Sequence, residues 1–244
     1  MSVDVAVHEH HGFEPFAMAD PFPIYAELRR EEPVMFDERI GYYVVTRYDD
    51  IKATFANWEQ FSSENAQAPV RPAGEPAKRI MTEGGFTAYS GLSARVPPEH
   101  TRIRDVATKA FTPRRYKVLE PLIRENVDRL IDRMLAEGAP ADIVASLAWD
   151  VPTITILTLL GVPIDMIPQV KEWAGSRAAM TWGDLSDEDQ IPHAINLVEY
   201  WNYCQQLVSE SKANPGDDLV GDMVRLQAEG NEINDHEIAS FRLP

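Results

Sequence analysis

A long amphipathic helix after Thr112 limits the fold of this chain more than any other feature. Thr112 and Pro113 form the N-cap and first-turn proline pair that starts helices, and the next strong stop signal is Gly138. Between these signals the apolar residues recur at helical spacing, so they share one face: Leu119, Ile123, Val127, Leu130 and Met134. The pattern predicts a structural helix running toward Gly138.

The rest of the chain reads as mainly α with a small β-sheet. We predict a strand over 42–46, followed by a short helix capped by Asp49 or Asp50, and a second short strand over 142–145. Residues 62–96 are rich in Gly and Pro and are predicted to form a long loop. Further helices are expected over 21–30, 149–160, 163–180, 187–213 and 217–228. We expect a mobile tail over 1–16 and one domain over 17–244.

Charge and cysteine content exclude several classes of function. A net charge of −16 disfavours nucleic-acid binding, because phosphate contacts need clustered cations. The only cysteine, Cys204, allows no internal disulfide, which predicts a cytoplasmic protein. Residues 1–16 lack the features of a signal peptide, and polar residues and Pro152 interrupt the most apolar stretch, 143–163, so no membrane segment is expected.

No metal-ligand spacing appears in the chain. The histidines of the tail, His8, His10 and His11, would hold a metal ion only adventitiously. We therefore predict no protein-ligated metal site.

His100 and Arg104 are the best candidates for binding residues. They lie four positions apart at the start of a predicted helix and therefore project from one face. Two donors with cationic character suit a ligand with paired carboxylates, and Arg104 can bind one carboxylate through two parallel hydrogen bonds. The alternative is a surface histidine and a solvated arginine on an ordinary amphipathic helix.

The amino-acid sequence around this pair resembles the C-helix of bacterial cytochromes P450. The stretch reads VPPEHTRIRDVATKAFTPRR from Val96 to Arg115. Three further segments resemble the same family in the same order: DPFPIYAELRREEPV, GYYVVTRYDDIKATF and TILTLLGVP. The resemblance implies the P450 fold, with His100 and Arg104 binding the propionates of haem.

The later motifs of the family do not appear in these 244 residues. There is no Ala/Gly-Gly-x-x-Thr segment and no Phe-x-x-Gly-x-x-x-Cys haem loop. The fold is therefore expected to be incomplete at the C-terminus, with the axial cysteine outside this chain. Cys204 is not expected to replace it, because its context, YWNYCQQL, is an amphipathic helix without glycines. The chain alone is expected to be inactive.

The resemblance also implies a substrate and an electron donor. The complete enzyme would be a haem-thiolate monooxygenase that inserts one atom of O₂ into a small apolar substrate. Phe86, Tyr89, Met180 and Trp182 are candidate pocket residues, against the alternatives of a surface loop or core packing.

A basic stretch over 95–117 resembles the face on which P450s receive electrons. The candidate docking residues are Arg102, Lys109, Arg114, Arg115 and Lys117. The stretch GGFTAYSGLSARVPPEHTR also resembles P450s fused to their own reductase. The competing hypothesis is a non-catalytic helical module that uses this stretch to bind an acidic partner.

Overall fold

Helices make up most of the computed structural model, which describes residues 13–16, 18–87 and 91–241, without the side chains of 114–116. The α-helices in these ranges are α1 (Phe22–Glu31), α2 (Tyr48–Ala56), α3 (Glu75–Glu83), α4 (Glu99–Ala110), α5 (Pro113–Glu137), α6 (Asp150–Leu159), α7 (Ile167–Trp182), α8 (Gln190–Ala213), α9 (Leu219–Ala228) and α10 (Asp235–Ser240). The predicted class, mainly α with a small sheet, is confirmed. None of the described helices is both long and apolar enough to cross a lipid bilayer.

The small sheet is one antiparallel hairpin. Strands β1 (Val34–Asp37) and β2 (Tyr42–Val45) pair with Val34 opposite Val45. The predicted strand over 42–46 is therefore confirmed, whereas the predicted cap of α2 is wrong. The cap position is Arg47, and neither Asp49 nor Asp50 accepts a hydrogen bond there because both lie inside the helix.

The end of the predicted tail is packed rather than mobile. Phe13 is buried with Leu28 and Met35, and its carbonyl accepts a hydrogen bond from the Arg39 guanidinium. Arg39 also forms an ion pair with Glu14 at 2.9 Å. The predicted boundary at residue 16 is therefore too late, because the aromatic ring of Phe13 has an apolar site to fill. Residues 1–12 lie outside the described ranges.

Two further predictions about local structure are corrected. The predicted loop over 62–96 contains α3, which has Pro76 in its first turn and packs against α8. The predicted strand over 142–145 is wrong, because residues Val144–Ala148 form a π-helix. The Asp142 carboxylate accepts hydrogen bonds from the amides of Val144 and Ala145, at 2.9 and 3.0 Å, and so satisfies donors at a helix start.

The main core lies between α7 and α8. Trp173 of α7 stacks on Tyr200 of α8 with ring centroids 5.7 Å apart. Cys204 is fully buried in the same cluster and makes no disulfide, as expected for a cysteine in an amphipathic helix. Residues of α4, α5, α6 and α9 also belong to this cluster, so one face of α4 is packed against the main core.

Candidate functional site

Helix α4, which carries the two candidate binding residues, has one apolar face and one polar face. Its buried residues are Ile103, Val106, Ala107 and Ala110, which join the helix to the core. The helix begins at Glu99, one residue before His100, so His100 and Arg104 lie one turn apart as predicted. Burial of one face therefore fixes the direction in which the other face points.

Both candidate side chains line one cleft of about 760 Å³. The cleft lies between α4, the end of α10 and the segment 91–95. Arg95 adds a second guanidinium to its wall, while the apolar part of the lining includes Leu92, Ile103, Ala107, Phe111 and Phe241. The cleft therefore combines cations with an apolar surface.

The three basic residues of the first turns of α4 differ in their partners. Within the described parts of the chain, neither the His100 imidazole nor the Arg104 guanidinium has a hydrogen bond or an ion pair. Arg102, between them in sequence, is instead fully engaged. Its guanidinium donates to the Glu237 carboxylate at 2.6 and 3.1 Å and to the Glu99 carboxylate at 2.6 Å. It also donates to the carbonyl of Glu232 at 2.6 Å.

Glu237 is the buried anchor of this arrangement. Its side chain is only 6% exposed, and Asn234 and Glu237 form a capping box at the start of α10. Burial favours the neutral acid, but hydrogen bonds from Arg102 and from the amide of Asn234 outweigh burial and leave the pKa of Glu237 below its ordinary value. The hydrogen bond that Arg102 donates to Glu237, followed by the one it donates to Glu99, raises the pKa of Arg102. The pair therefore stays ionised and ties α10 to α4.

Haem fits the donor set of this cleft. Within the described ranges, two side chains with cationic character and without a protein partner stand one helical turn apart, which suits two carboxylates on one edge of a ligand. The apolar lining suits the face of a flat macrocycle. Among the described residues, no cluster of three or more His, Cys, Asp or Glu could hold a bare metal ion.

Comparison with known proteins assigns the family. The solved structure of cytochrome P450 CREJ in complex with (4-ethylphenyl) dihydrogen phosphate is 66% identical and superposes with a TM-score of 0.91, over 96% of this chain and 58% of that chain. The chain belongs to the cytochrome P450 family. The mycinamicin IV hydroxylase/epoxidase of Micromonospora griseorubida is 31% identical over 90% of this P450 chain and 52% of its own length.

A larger P450 protein shares the same fold. An intact type IV self-sufficient cytochrome P450 monooxygenase is 28% identical with a TM-score of 0.84, over 94% of this chain and 31% of that chain. The chain spans about half the length of the curated relatives it matches. It matches no family model.

Three of the four candidate pocket residues, Phe86, Met180 and Trp182, do not line the cleft. Phe86 packs against the main core, with its ring edge-on to Trp201 at a centroid distance of 6.5 Å. Met180 is half-buried near the end of α7, and Trp182 is 60% exposed. None of these three is among the residues that line the cleft. Tyr89 lies outside the described residues.

The candidate docking residues also differ in their positions. The charge of Arg102 is directed inward to Glu237, so this residue is a poor docking cation. Lys109 is exposed and donates to the Asn231 side chain at 2.7 Å, and Lys117 is exposed. The side chains of Arg114 and Arg115 lie outside the described part of the structure.

Sequence reasoning missed four residues of this region: Gln67, Ser93, Arg95 and Glu237. The capping-box spacing from Asn234 to Glu237 is a sequence signal for a helix start, although not for the bond to Arg102. Gln67 and Ser93 carry no signal, because they belong to a stretch whose composition indicates only a loop.

Proposed function

We propose that His100 and Arg104 bind the propionates of haem and that this chain contributes the corresponding part of a P450 monooxygenase. The observation that supports the proposal is the difference in hydrogen-bond partners among the basic residues of α4. Arg102 is saturated by carboxylates, whereas His100 and Arg104 face the cleft without a protein partner in the described ranges. Haem bound here supplies the chemistry that inserts one atom of O₂ into an organic substrate.

The residues of this chain would act by binding and orientation. Arg104 can hold one propionate through two parallel hydrogen bonds, and His100 can donate to the other. Ile103 and Ala107 present apolar surface between these donors, which limits the access of water to the bound ring. Each charged hydrogen bond contributes about 1.5–3 kcal/mol.

The axial thiolate is proposed to lie outside these 244 residues. Cys204 lies on α8, is completely buried in the main core and is not among the residues that line the cleft. A sulfur in that position cannot reach a ring held by α4 without unpacking the core. We therefore infer that this chain alone binds haem without turnover.

The substrate is proposed to be a small aromatic molecule with an anionic group. We predicted a small apolar substrate from the sequence. The solved P450 structure that is 66% identical to this chain contains (4-ethylphenyl) dihydrogen phosphate. That likeness supports an aryl phosphate as the substrate class. The aromatic ring of such a substrate has the apolar character that we predicted, and its phosphate group adds negative charge.

An electron-donor protein or a fused reductase domain would supply electrons. Exposed Lys109 and Lys117 support a docking face near the end of α4 and the start of α5. The self-sufficient P450 neighbour supports the fused arrangement. We place the protein in the cytoplasm, since its single buried thiol suits a reducing compartment.

A hemin titration of the chain tests the proposed function. We expect saturable binding with a shift of the Soret absorbance, weakened about 10- to 100-fold by Arg104→Ala, and a similar but smaller loss for His100→Ala. Arg124→Ala is the matched control, because Arg124 is an exposed arginine of α5 paired only with Glu120 among the described residues. Equal hemin affinity for Arg104→Ala and Arg124→Ala contradicts the assignment.

A carbon monoxide difference spectrum tests the thiolate separately. The reduced chain with hemin should lack the band of a thiolate-ligated haem. Appearance of that band, and its loss in Cys204→Ser, would refute the placement of the axial ligand.

A further inference from the structure

A second group of hydrogen-bond donors lies at the edge of the cleft, around the side chain of Gln67. The Gln67 Oε1 atom accepts from Arg177 Nη2 at 2.8 Å and from the amide of Gly91 at 3.3 Å. The Gln67 Nε2 atom donates to the Ser93 hydroxyl at 2.9 Å. Gln67, Gly91 and Ser93 all line the cleft that holds His100 and Arg104.

Two donors, one of them a guanidinium, therefore converge on one neutral oxygen. An amide oxygen is a weaker acceptor than a phosphate oxygen for a guanidinium, because the phosphate carries negative charge and can accept two parallel hydrogen bonds from arginine. The Gln67 oxygen occupies a position that an anionic oxygen can fill. The Ser93 hydroxyl accepts a hydrogen bond from Gln67 Nε2 and can donate its own hydrogen, so it offers a third donor within the same group.

A backbone hydrogen bond helps to hold this group in place. The amide of Val70 donates to the carbonyl of Thr181 at 2.9 Å, which ties the segment after Gln67 to the end of α7. Arg177 lies one turn earlier on α7 and is half-buried. The segment carrying Gln67 and the helix carrying Arg177 are thus fixed relative to each other before any ligand binds.

We propose that Arg177, Ser93 and the amide of Gly91 form a phosphate subsite for an aryl phosphate substrate, with Gln67 as the placeholder that the phosphate displaces. This inference rests on the proposed function, and it assigns the recognition of the anionic end to residues of this chain. A phosphate monoester carries a charge of about −1.5 to −2 at pH 7 and three strong acceptor oxygens. On a chain of net charge −16, such an anion needs a local cation, and Arg177 supplies it within hydrogen-bond distance of Gln67.

The placeholder role makes opposite predictions for two substitutions of Gln67. Gln67→Ala removes the competing oxygen and leaves the donors in place, so affinity for the phosphate stays equal or rises. Gln67→Glu puts a carboxylate beside Arg177, so the local contact is kept as an ion pair while the phosphate meets a like charge. A residue that only held the loop in place would instead weaken binding more in Gln67→Ala than in Gln67→Glu.

Isothermal titration of the 244-residue chain with 4-ethylphenyl dihydrogen phosphate tests the subsite, with 4-ethylphenol and inorganic phosphate as comparison ligands. We expect the ester to bind at least tenfold more tightly than the phenol, as about one charge-assisted hydrogen bond implies. Arg177→Gln and Gln67→Glu should remove this preference, and Gln67→Ala should keep it. Far-UV circular dichroism of each variant checks that the helices persist.

The same variants separate this inference from the haem assignment. Hemin affinity should be unchanged by Arg177→Gln, because Arg177 is not among the residues that line the cleft, and it should fall in Arg104→Ala. If folded Arg177→Gln keeps the preference for the ester, the subsite is refuted while the haem assignment stands. The inference is also overturned if the preference is lost in Arg104→Ala rather than in Arg177→Gln, or if the wild-type chain shows no preference.

Discussion

Substitution of Glu237 by Gln should destabilise the chain through the contact between α10 and α4. The carboxylate accepts two hydrogen bonds from Arg102 and one from the amide of Asn234, at 2.6, 3.1 and 3.0 Å. In the glutamine variant, the carboxamide oxygen can still accept the shortest of these bonds. The carboxamide nitrogen is a donor and cannot accept the other two. Each lost bond to a charged group costs about 1.5–3 kcal/mol, and Arg102 keeps Glu99 as a partner, so we expect a loss of about 3 kcal/mol at pH 7.

The pH dependence of this loss is a second observable. The pKa of Glu237 is lowered from its ordinary value of 4.5. A lowered folded-state pKa means that the stabilisation is complete above pH 4.5 and disappears as the pH falls through the folded value. The difference in unfolding free energy between wild type and Glu237→Gln should therefore be full at pH 7 and should shrink below pH 4.5.

Urea denaturation followed by circular dichroism measures both effects. Glu99→Gln is the matched control, because Glu99 also bonds Arg102 but its side chain is 56% exposed. We expect this control to cost about 0.5 kcal/mol. The reasoning fails if Glu237→Gln costs no more than Glu99→Gln at pH 7, or if its cost is constant down to pH 3.

Two further substitutions test the packing that supports the site. Asp37→Asn should lower the unfolding free energy by about 2–3 kcal/mol at pH 7, because the buried carboxylate accepts from Arg39 at 2.6 and 3.2 Å. That Arg39 bond is the main reason why the pKa of Asp37 is lowered, so the loss should fade as the pH drops below 3.8, as urea curves at pH 7 and 3 would show. Gly161→Ala should cost more than Gly138→Ala in the same assay. Both glycines have positive φ, 77° and 88°, which costs alanine about 1–2 kcal/mol, but only at Gly161 would the new methyl group meet Asp218, at 2.5 Å, whereas nothing lies within 4 Å at Gly138. Equal losses for the two glycine variants would show that Asp218 moves aside without cost.

Local patterns determined the helices and the pairing of His100 with Arg104. The start of α5 at Pro113 and the four-residue spacing on α4 follow from caps and helical geometry, which act over a few neighbouring residues. The same rules placed α7, α8 and α9 within a few residues of their observed bounds. They failed at α3, because a segment rich in Gly and Pro becomes helical only where a partner such as α8 packs against it.

Tertiary structure alone decided which cations are available. Arg102 was predicted to be a docking cation and Arg104 a ligand-binding one, yet of these two only Arg102 meets the buried carboxylate of Glu237, which lies 135 residues away along the chain. Gln67 and Arg177 are likewise brought together across 110 residues. The sequence by itself set the order of helices and the side-chain types on each face, because hydrogen bonds within a helix link near neighbours. The partner of each charge was set by how the helices pack, since the attraction between a carboxylate and a cation weakens with distance and with screening by water.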